Sequence, residues 1–364
     1  MRLEGIPMIK LGVIFGGRSG EHEISLMSAT SVIKAIDKEK FQLVLIGITK
    51  EGNWLLYDGP VEKIEDGSWQ QEAEAALAND PDKYGITVLG AGGKSLKSII
   101  DFALPVLHGP FGEDGTIQGL FEMADIPYGG CGVLGSAAAM DKALAKEIFA
   151  KRNLPVCRHL MLQKEEIEEN LQGVIQRTEK FLPYPIFVKP SNMGSSVGIS
   201  KVHNQEELIS ALQLAAAYDR RLVLEEGLDC RELETGVLGN YNPEVAAVGE
   251  ILPSAEFYDY KAKYFDGGQS KMCIPADIPD EIAQEIRVIA AEAYCLLDCS
   301  GFARVDFFLE KGTNKVYLNE INTIPGFTKY SMFPLLWAEA GFAYPNLIEK
   351  IIDLGLERYK VRHR

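Results

Sequence analysis

Histidine is scarce in this chain, five in 364 residues, and none of the five falls in an HExxH or other paired spacing. A zinc enzyme therefore has no ligand set in the sequence. No GxSxG elbow is present, so a serine hydrolase has no nucleophile to point to. The six cysteines (131, 157, 230, 273, 295 and 299) are scattered, with only Cys295 and Cys299 close together, at i, i+4. Free buried thiols are expected rather than a disulfide or a structural metal. Positive charge is in deficit: 37 Lys and Arg stand against 52 Asp and Glu, a net charge of -15. Such a field repels nucleic acid and anionic membranes, so neither is expected as a partner, and a small anionic substrate must be held by local groups. No apolar run approaches the ~20 residues that cross a bilayer. The start, MRLEGIPMIK, carries an acid and a proline where a signal peptide has its apolar core, and a cytoplasmic location is expected.

What is present is enough apolar material, 46% of the residues, for two or three domains. From Ile9 to about Tyr128, short β-branched runs (LGVIF, FQLVLIGI, FALPVL) alternate with helical stretches. That order predicts an α/β unit with a parallel sheet flanked by helices. Residues 62–97, rich in charge, Ala and Gly, form the least patterned part and read as an excursion without chemistry. A new unit opens near Gly130 with SAAAMDKALAKEIFAKRN, and a third runs from about Gly227 through antiparallel-looking strands to closing helices. No internal repeat or low-complexity tract occurs.

Two motifs mislead. GGCGVLG fits the dinucleotide fingerprint at Gly130, Gly132 and Gly135, but no clean strand leads into it and no ribose-binding acid follows about 20 residues on. It reads as a domain-joining turn. GAGGKS resembles a Walker loop, yet Val88 stands where the first glycine would fall.

The informative residues lie near the end. Asp306 in GFARVDFFLE, then Glu320 and Asn322 in KVYLNEIN, sit on two strand-like segments, and two-residue spacing puts Glu320 and Asn322 on one face, as it does Arg304 and Asp306. Solvated strand residues are the plain alternative. However, these acids continue apolar strands, and an all-oxygen set suits magnesium with its waters and substrate phosphates better than zinc. Upstream, Lys189 ends an apolar strand and precedes PSNMGSSVGIS, where glycines 194 and 198 bracket the hydroxyls of Ser195 and Ser196. Such a loop can wrap phosphate oxygens while the lysine supplies point charge, although a polar hairpin would look similar. A second lysine, Lys142, stands on the helix opening the same unit.

Taken in order, GVIFGGRSGEHEISL, LHGPFGEDGTIQGLFE, MDKALAK, VKPSNMGSSVGISKV, YDYKAKY, GFARVDFF and NEINTIPGFT followed by YSMFP resemble the ATP-grasp superfamily and, within it, the D-alanyl-D-alanine ligases. The resemblance runs from Ile9 onward. It implies a three-domain architecture mixing α/β and α+β units: 1–129 on the first-substrate side, 130–226 as the central ATP-grasp unit, and 227–364 as the C-terminal ATP-grasp unit with the magnesium site and a lid loop at 255–273.

Position by position, the resemblance makes Lys142 and Lys189 phosphate ligands and brings Ser195 and Ser196 to the phosphates. Glu225 and Glu226 fall at adenine and hinge contacts. The family often has lysine at the second of these, so Glu226 departs in charge and its contact is through backbone or absent. Glu232 matches the ribose-binding acid, and Asp306, Glu320 and Asn322 match ligands of two magnesium ions, for which manganese can substitute. Arg304 and the Gly326 amide match oxyanion donors. Glu21 matches the acid that pairs with the first D-alanine's ammonium, and His108 assists that substrate or orients a neighbour. Ser195 and Tyr264 match residues that, with Glu21, link the first domain, the Gly/Ser loop and the lid. Lys263 reaches phosphate or the second carboxylate, which Ser331 and the Met332 backbone clamp at a helix start.

The implied reaction joins two D-alanines at the expense of ATP through an acyl phosphate, with a homodimer as the family's common assembly. A ligase with another acceptor such as D-serine, a different carboxylate ligase on the same fold, and a non-catalytic nucleotide-binding protein are the alternatives. The last has no use for an oxyanion donor. Relatives that form a D-alanyl-D-lactate ester usually differ at the lid tyrosine. Tyr264→Phe is therefore expected to retain ATP use and shift acceptor choice towards D-lactate, and an unchanged amine-to-hydroxyacid product ratio would remove this role for the hydroxyl.

Overall fold

In the computed structural model, residues 8–84, 86–87, 95–194, 197–252 and 271–362 are described. Ser195, Ser196, Lys263, Tyr264 and all of the expected lid up to residue 270 lie outside them.

The first sheet is built on β1 (Ile9–Gly16), a run that is buried from Leu11 onward. A buried strand with apolar residues on both faces needs cover on both sides, and α1 (His22–Ala35) supplies one layer. β2 (Phe41–Ile48) lies parallel to β1, and β3 (Trp54–Tyr57) returns antiparallel beside β2. The expected parallel sheet, β1 with β2 and β4, thus carries one antiparallel edge strand. Its connection is too short for a crossover, and Gly52 at φ 97° makes the tight reversal possible. Four helices follow: α2 (Glu62–Glu65), α3 (Trp69–Asn79), α4 (Pro81–Tyr84) and α5 (Leu96–Ile99). The described part of the excursion is therefore mostly helical. Trp69 packs edge-on against Phe15, with ring centroids 5.0 Å apart, directly over Gly47. β4 (Phe102–Val106) completes the order β3-β2-β1-β4, and α6 (Thr116–Met123) closes the unit.

Helices α7 (Val133–Met140) and α8 (Lys142–Lys151) follow. The next sheet has β5 (His159–Gln163), β6 (Ile186–Pro190), β7 (Ser200–Val202) and β8 (Arg221–Glu226) in the order β5-β8-β6-β7, every pairing antiparallel. α9 (Lys164–Phe181) and α10 (Gln205–Tyr218) cover it with Ile167, Ile175, Leu208 and Leu212.

β9 (Cys230–Leu238), β10 (Glu244–Leu252), β11 (Lys271–Cys273), β12 (Phe302–Glu310) and β13 (Val316–Asn322) form an antiparallel sheet in the order β11-β10-β9-β12-β13. α11 (Asp280–Leu296) packs on one face. The buried faces of α7 and α8 join that same core through Ala138, Ala139, Ala145 and Phe149. α12 (Met332–Glu339) and α13 (Tyr344–Arg362) close the chain on the other side, where Phe333, Trp337, Ile351 and Ile352 share one apolar core with Phe102 and Leu104 of the first sheet. The first sheet and the chain's last helices are thus packed as one body, with the 323–331 segment between them.

Because Trp69 fills the space where a Gly47 side chain would go, Gly47→Ala is expected to cost about 1–3 kcal/mol through overpacking. Urea unfolding of the variant against the parent checks this, and equal midpoints would contradict it.

Candidate active site

The three sheets meet around a cleft of about 860 Å³. Its lining includes Glu21, His108, Lys142, Lys189, Glu225, Glu226, Glu232, Arg304, Glu320, Asn322 and Gly326. Residues separated by up to three hundred positions therefore share one space. Asp306 lies just behind this surface, and Ser331 sits next to Gly326, its Oγ 3.3 Å from where a Gly326 Cβ would be. Met332 is buried at the start of α12.

One wall carries lysines. Asp141 caps α8 by accepting from the Leu144 amide at 3.0 Å, which aims Lys142 from the helix start into the cleft. There its Nζ donates to the Met193 carbonyl at 2.9 Å and meets Glu320 Oε2 at 3.2 Å. Lys189 is at the end of β6, where the pairing of Phe187 with Glu225 puts Glu225 on the same face. Lys189 Nζ donates to Glu225 Oε2 at 2.9 Å, and Lys146 Nζ lies 3.2 Å from Glu225 Oε1. Lys146 also donates to the Asn319 carbonyl at 3.1 Å, tying β8 to β13. Burial alone would raise the Glu225 pKa, but Lys146 and Lys189 outweigh it and hold the carboxyl at about 2. Burial would likewise lower Lys189, yet Glu225 reverses the sign and keeps the ammonium above its ordinary value. Glu226 turns to Arg158 instead, accepting from the Arg158 amide at 2.9 Å and from Nε at 2.7 Å.

The facing wall carries oxygen. Register places Asp306 opposite Glu320 on β13 and opposite Glu234 on β9, so three carboxylates lie in a row across adjacent strands. Like charges directly opposite are destabilising without a cation. Arg304 meets that need, donating from Nε and Nη2 to Asp306 at 2.7 Å each, with Nε 2.9 Å from Glu234 Oε2. Asn322 Nδ2 donates to Asp306 Oδ2 at 2.9 Å. Among the described residues no group of three or more His, Cys, Asp or Glu forms a metal cage. Two carboxylates and an amide fit a hard divalent ion that takes its remaining ligands from water and phosphate. The row of acids already held by cations marks where such charge is wanted.

The third side comes from the first unit. After β1, Gly16 (φ 88°) and Gly17 (φ 97°) turn the chain so that Glu21 stands at the start of α1. The Glu21 carboxylate is buried against both Gly109 and Gly194, in each case where a Cβ would otherwise go, which brings the Gly/Ser loop to the first unit. His108 is buried, and desolvation holds its pKa below the ordinary imidazole value despite the Glu21 charge and the Ile324 carbonyl. Glu113 is buried beside it. Desolvation, then the Glu21 charge, push its carboxyl up to about 8, against the two backbone N–H groups of Gly109 and Ile324 that it accepts from.

Lys146, Glu234 and Glu113 have no role in the sequence reading. The spacing i, i+4 from Lys142 was the available signal for Lys146, because it puts both lysines on one side of α8. Glu113 lies in the quoted segment LHGPFGEDG. Glu234 carries no signal short of the strand register.

A cleft between two antiparallel sheets, with lysines on one wall and an oxygen set on the other, defines the class: an ATP-grasp ligase. The model "D-ala D-ala ligase N-terminus" matches residues 10–131, and "D-ala D-ala ligase C-terminus" matches 148–353. The D-alanine–D-alanine ligase of Thermoanaerobacter pseudethanolicus is 52% identical over 355 residues, 98% of each chain. That of Acetivibrio thermocellus is 52% identical over 362 residues, 95% of this chain and 96% of its own. Among solved structures, the D-alanine-D-alanine ligase from Coxiella burnetii superposes with TM-score 0.84 at 33% identity, covering 98% of this chain and 97% of that one. The VanG D-Ala:D-Ser ligase from Enterococcus faecalis gives 0.82 at 36%, covering 96% and 100%. The chain belongs to the D-alanine–D-alanine ligase family.

Removing one partner of a buried ion network leaves charge uncompensated, so Lys146→Met is expected to cost about 3–5 kcal/mol. Glu225 titrates at about 2 in the fold against its usual 4.5, so its stabilising contribution is complete above pH ~4.5 and is lost as pH falls towards 2. With Lys146 gone, that acid loss becomes smaller. Urea unfolding of both proteins between these pH values checks it, and superimposable pH profiles would contradict the pairing.

Proposed function

We propose that this enzyme ligates two D-alanines to D-alanyl-D-alanine, converting ATP to ADP and phosphate, as a step in supplying peptidoglycan precursor. The observation that carries the reading is the meeting of Glu21, Gly194, Lys142, Glu320 and Arg304 around one cleft. It supports reading an ammonium site beside a phosphate site.

In the first step the carboxylate of one D-alanine attacks the γ-phosphorus, and the bond to the ADP oxygen breaks, giving D-alanyl phosphate. Phosphoryl transfer mainly requires positioning and charge stabilisation. Lys142 and Lys189 hold phosphate oxygens, Ser195 and Ser196 add hydroxyls, and Glu225, Glu226 and Glu232 border the adenine and ribose. Glu225 acts there chiefly by setting Lys189, since its oxygens are already on two lysines. Asp306, Glu320 and Asn322 would hold magnesium or manganese, two ions in all, which when bound neutralises charge on the phosphates. Glu21 receives the ammonium of the first D-alanine.

In the second step the amine of the other D-alanine, having lost a proton, attacks the acyl carbon. A C–N bond forms, the C–O bond to phosphate breaks, and Arg304 with the Gly326 amide receives the oxyanion between these events. Ser331 and the Met332 amide hold the second carboxylate, while Lys263 and Tyr264 close over the site from the lid at 255–273, excluding water. His108 acts on the first substrate by orientation, because both ring nitrogens have partners within the protein. The same reading takes units 1–129, 130–226 and 227–364 as domains, D-alanine and ATP as partners, a homodimer as assembly and the cytoplasm as setting. No helix among the described residues is long and apolar enough to cross a membrane.

Incubated with ATP, magnesium and D-alanine, the protein is expected to release dipeptide and phosphate in equal amounts, and to form no dipeptide from L-alanine. Arg304→Met should lower kcat roughly 10²–10³-fold. Preferential D-alanyl-D-serine formation in a mixed assay would move the acceptor to that of the VanG neighbour. Absence of any peptide would overturn the reading.

A further inference from the structure

The segment Ile324–Phe327 carries Gly326 and is fastened on both sides of it by buried side chains of the first unit. Glu113 Oε2 accepts the Ile324 N–H at 3.0 Å, and its Oε1 accepts the Gly109 N–H at 2.9 Å. His108 Nδ1 lies 2.8 Å from the Ile324 carbonyl and His108 Nε2 lies 3.0 Å from Ser28 Oγ. The Phe327 N–H reaches Ser28 Oγ at 3.3 Å.

Directions follow from chemistry. A carbonyl only accepts, so Nδ1 carries the proton and donates to Ile324. A neutral ring then leaves Nε2 as acceptor for the Ser28 hydroxyl, whose oxygen is open to the Phe327 N–H. No donor faces a donor, and the chain of bonds runs without conflict from Phe327 through Ser28 and His108 to Ile324. Glu113 closes it back to Gly109, whose backbone lies against the Glu21 carboxylate. Ser28, His108 and Glu113 are each at most 9% exposed, so water does not substitute easily for any of these bonds.

We propose that Glu113 and Ser28 are positioning residues that, through His108, form a clasp fixing the Gly326 amide relative to Glu21. The proposal rests on the ligase reading above, in which Gly326 serves the second step and Glu21 the first substrate. The clasp spans the two. A displacement of about 1 Å in a catalytic group can cost on the order of 100-fold, and the effect should fall on amide formation more than on ATP use. Acyl phosphate that is not captured is lost to water.

The test uses the full-length protein with Glu113→Gln and Ser28→Ala. Assays are run above pH ~8, where the Glu113 carboxyl is ionised and both of its oxygens accept; the glutamine keeps the shape but accepts only one of the two N–H groups, and the alanine removes the hydroxyl link. For Glu113→Gln, kcat for dipeptide is expected to fall on the order of 10- to 100-fold, with KM for ATP within about twofold and more than one phosphate released per dipeptide. Ser28→Ala should show the same pattern at a few-fold. Amide hydrogen exchange of a peptide covering 321–328 should accelerate in both, with protection of the first sheet unchanged. Variants with parental exchange and one phosphate per dipeptide would overturn the clasp. So would losses of kcat that simply track a lower unfolding temperature and a weaker ATP KM. If the parent itself makes no dipeptide, the ligase reading fails, and the exchange measurement still decides whether the clasp holds the loop.

Discussion

Cations in the cleft of a chain with net charge -15 are held by carboxylates placed for them, and the rest of the site is arranged around that pairing. Lys142 rests on Glu320, Lys146 and Lys189 share Glu225, and Arg304 spans Asp306 and Glu234. Burying any one of these charges alone would cost several kcal/mol. Pairing offsets that cost and also fixes the geometry, because Lys142–Glu320 and Lys146–Glu225 join a helix to a strand and Lys189–Glu225 and Arg304–Glu234 join neighbouring strands, while Arg304–Asp306 lies within β12. Lys142 and Lys189 thus line the cleft without standing as bare charges, and a net negative chain still presents a positive wall where the local groups are so arranged.

The packing explains why these pairs can be held accurately. Phe327 and Phe333 stack with ring centroids 5.7 Å apart between the first sheet and the last helices, and Trp337 follows at 6.5 Å from Phe333. The segment bearing Gly326 leads directly into this cluster. Its backbone is therefore anchored by apolar contact on one side and by Ser28, His108 and Glu113 on the other. The Gly/Ser loop approaches from the central sheet and touches the same region through Gly194 and Glu21.

Much of this was legible in the sequence, for identifiable reasons. Two-residue spacing put Arg304 with Asp306 and Glu320 with Asn322, and the register of β12 with β13 pairs Asp306 with Glu320 and Arg304 with Asn322. The alternation of strand and helix announced the first sheet, though not β3, whose four residues WLLY show too short a pattern. Residues 62–97 read as the least patterned part because the helices there are short and bury only single side chains such as Ile64, Trp69 and Leu96. Lys146, marked only by its spacing from Lys142, and Glu113 and Ser28 were hard to read for a different reason. A buried polar residue on a helix or turn looks like a solvated one until the partner across the fold is known, and their partners lie as far as 299 positions away. Glu226 was noticed as a change of charge, but nothing local indicated that Arg158 would take its side chain.

The central claim is that the first D-alanine's carboxylate takes the phosphoryl group before the peptide bond forms. D-Alanine carrying oxygen-18 in its carboxylate tests it most directly, with the released phosphate read by mass spectrometry. The account predicts one labelled oxygen in each phosphate formed alongside dipeptide, because the carboxylate oxygen leaves bonded to phosphorus. Dipeptide accompanied by unlabelled phosphate would contradict it.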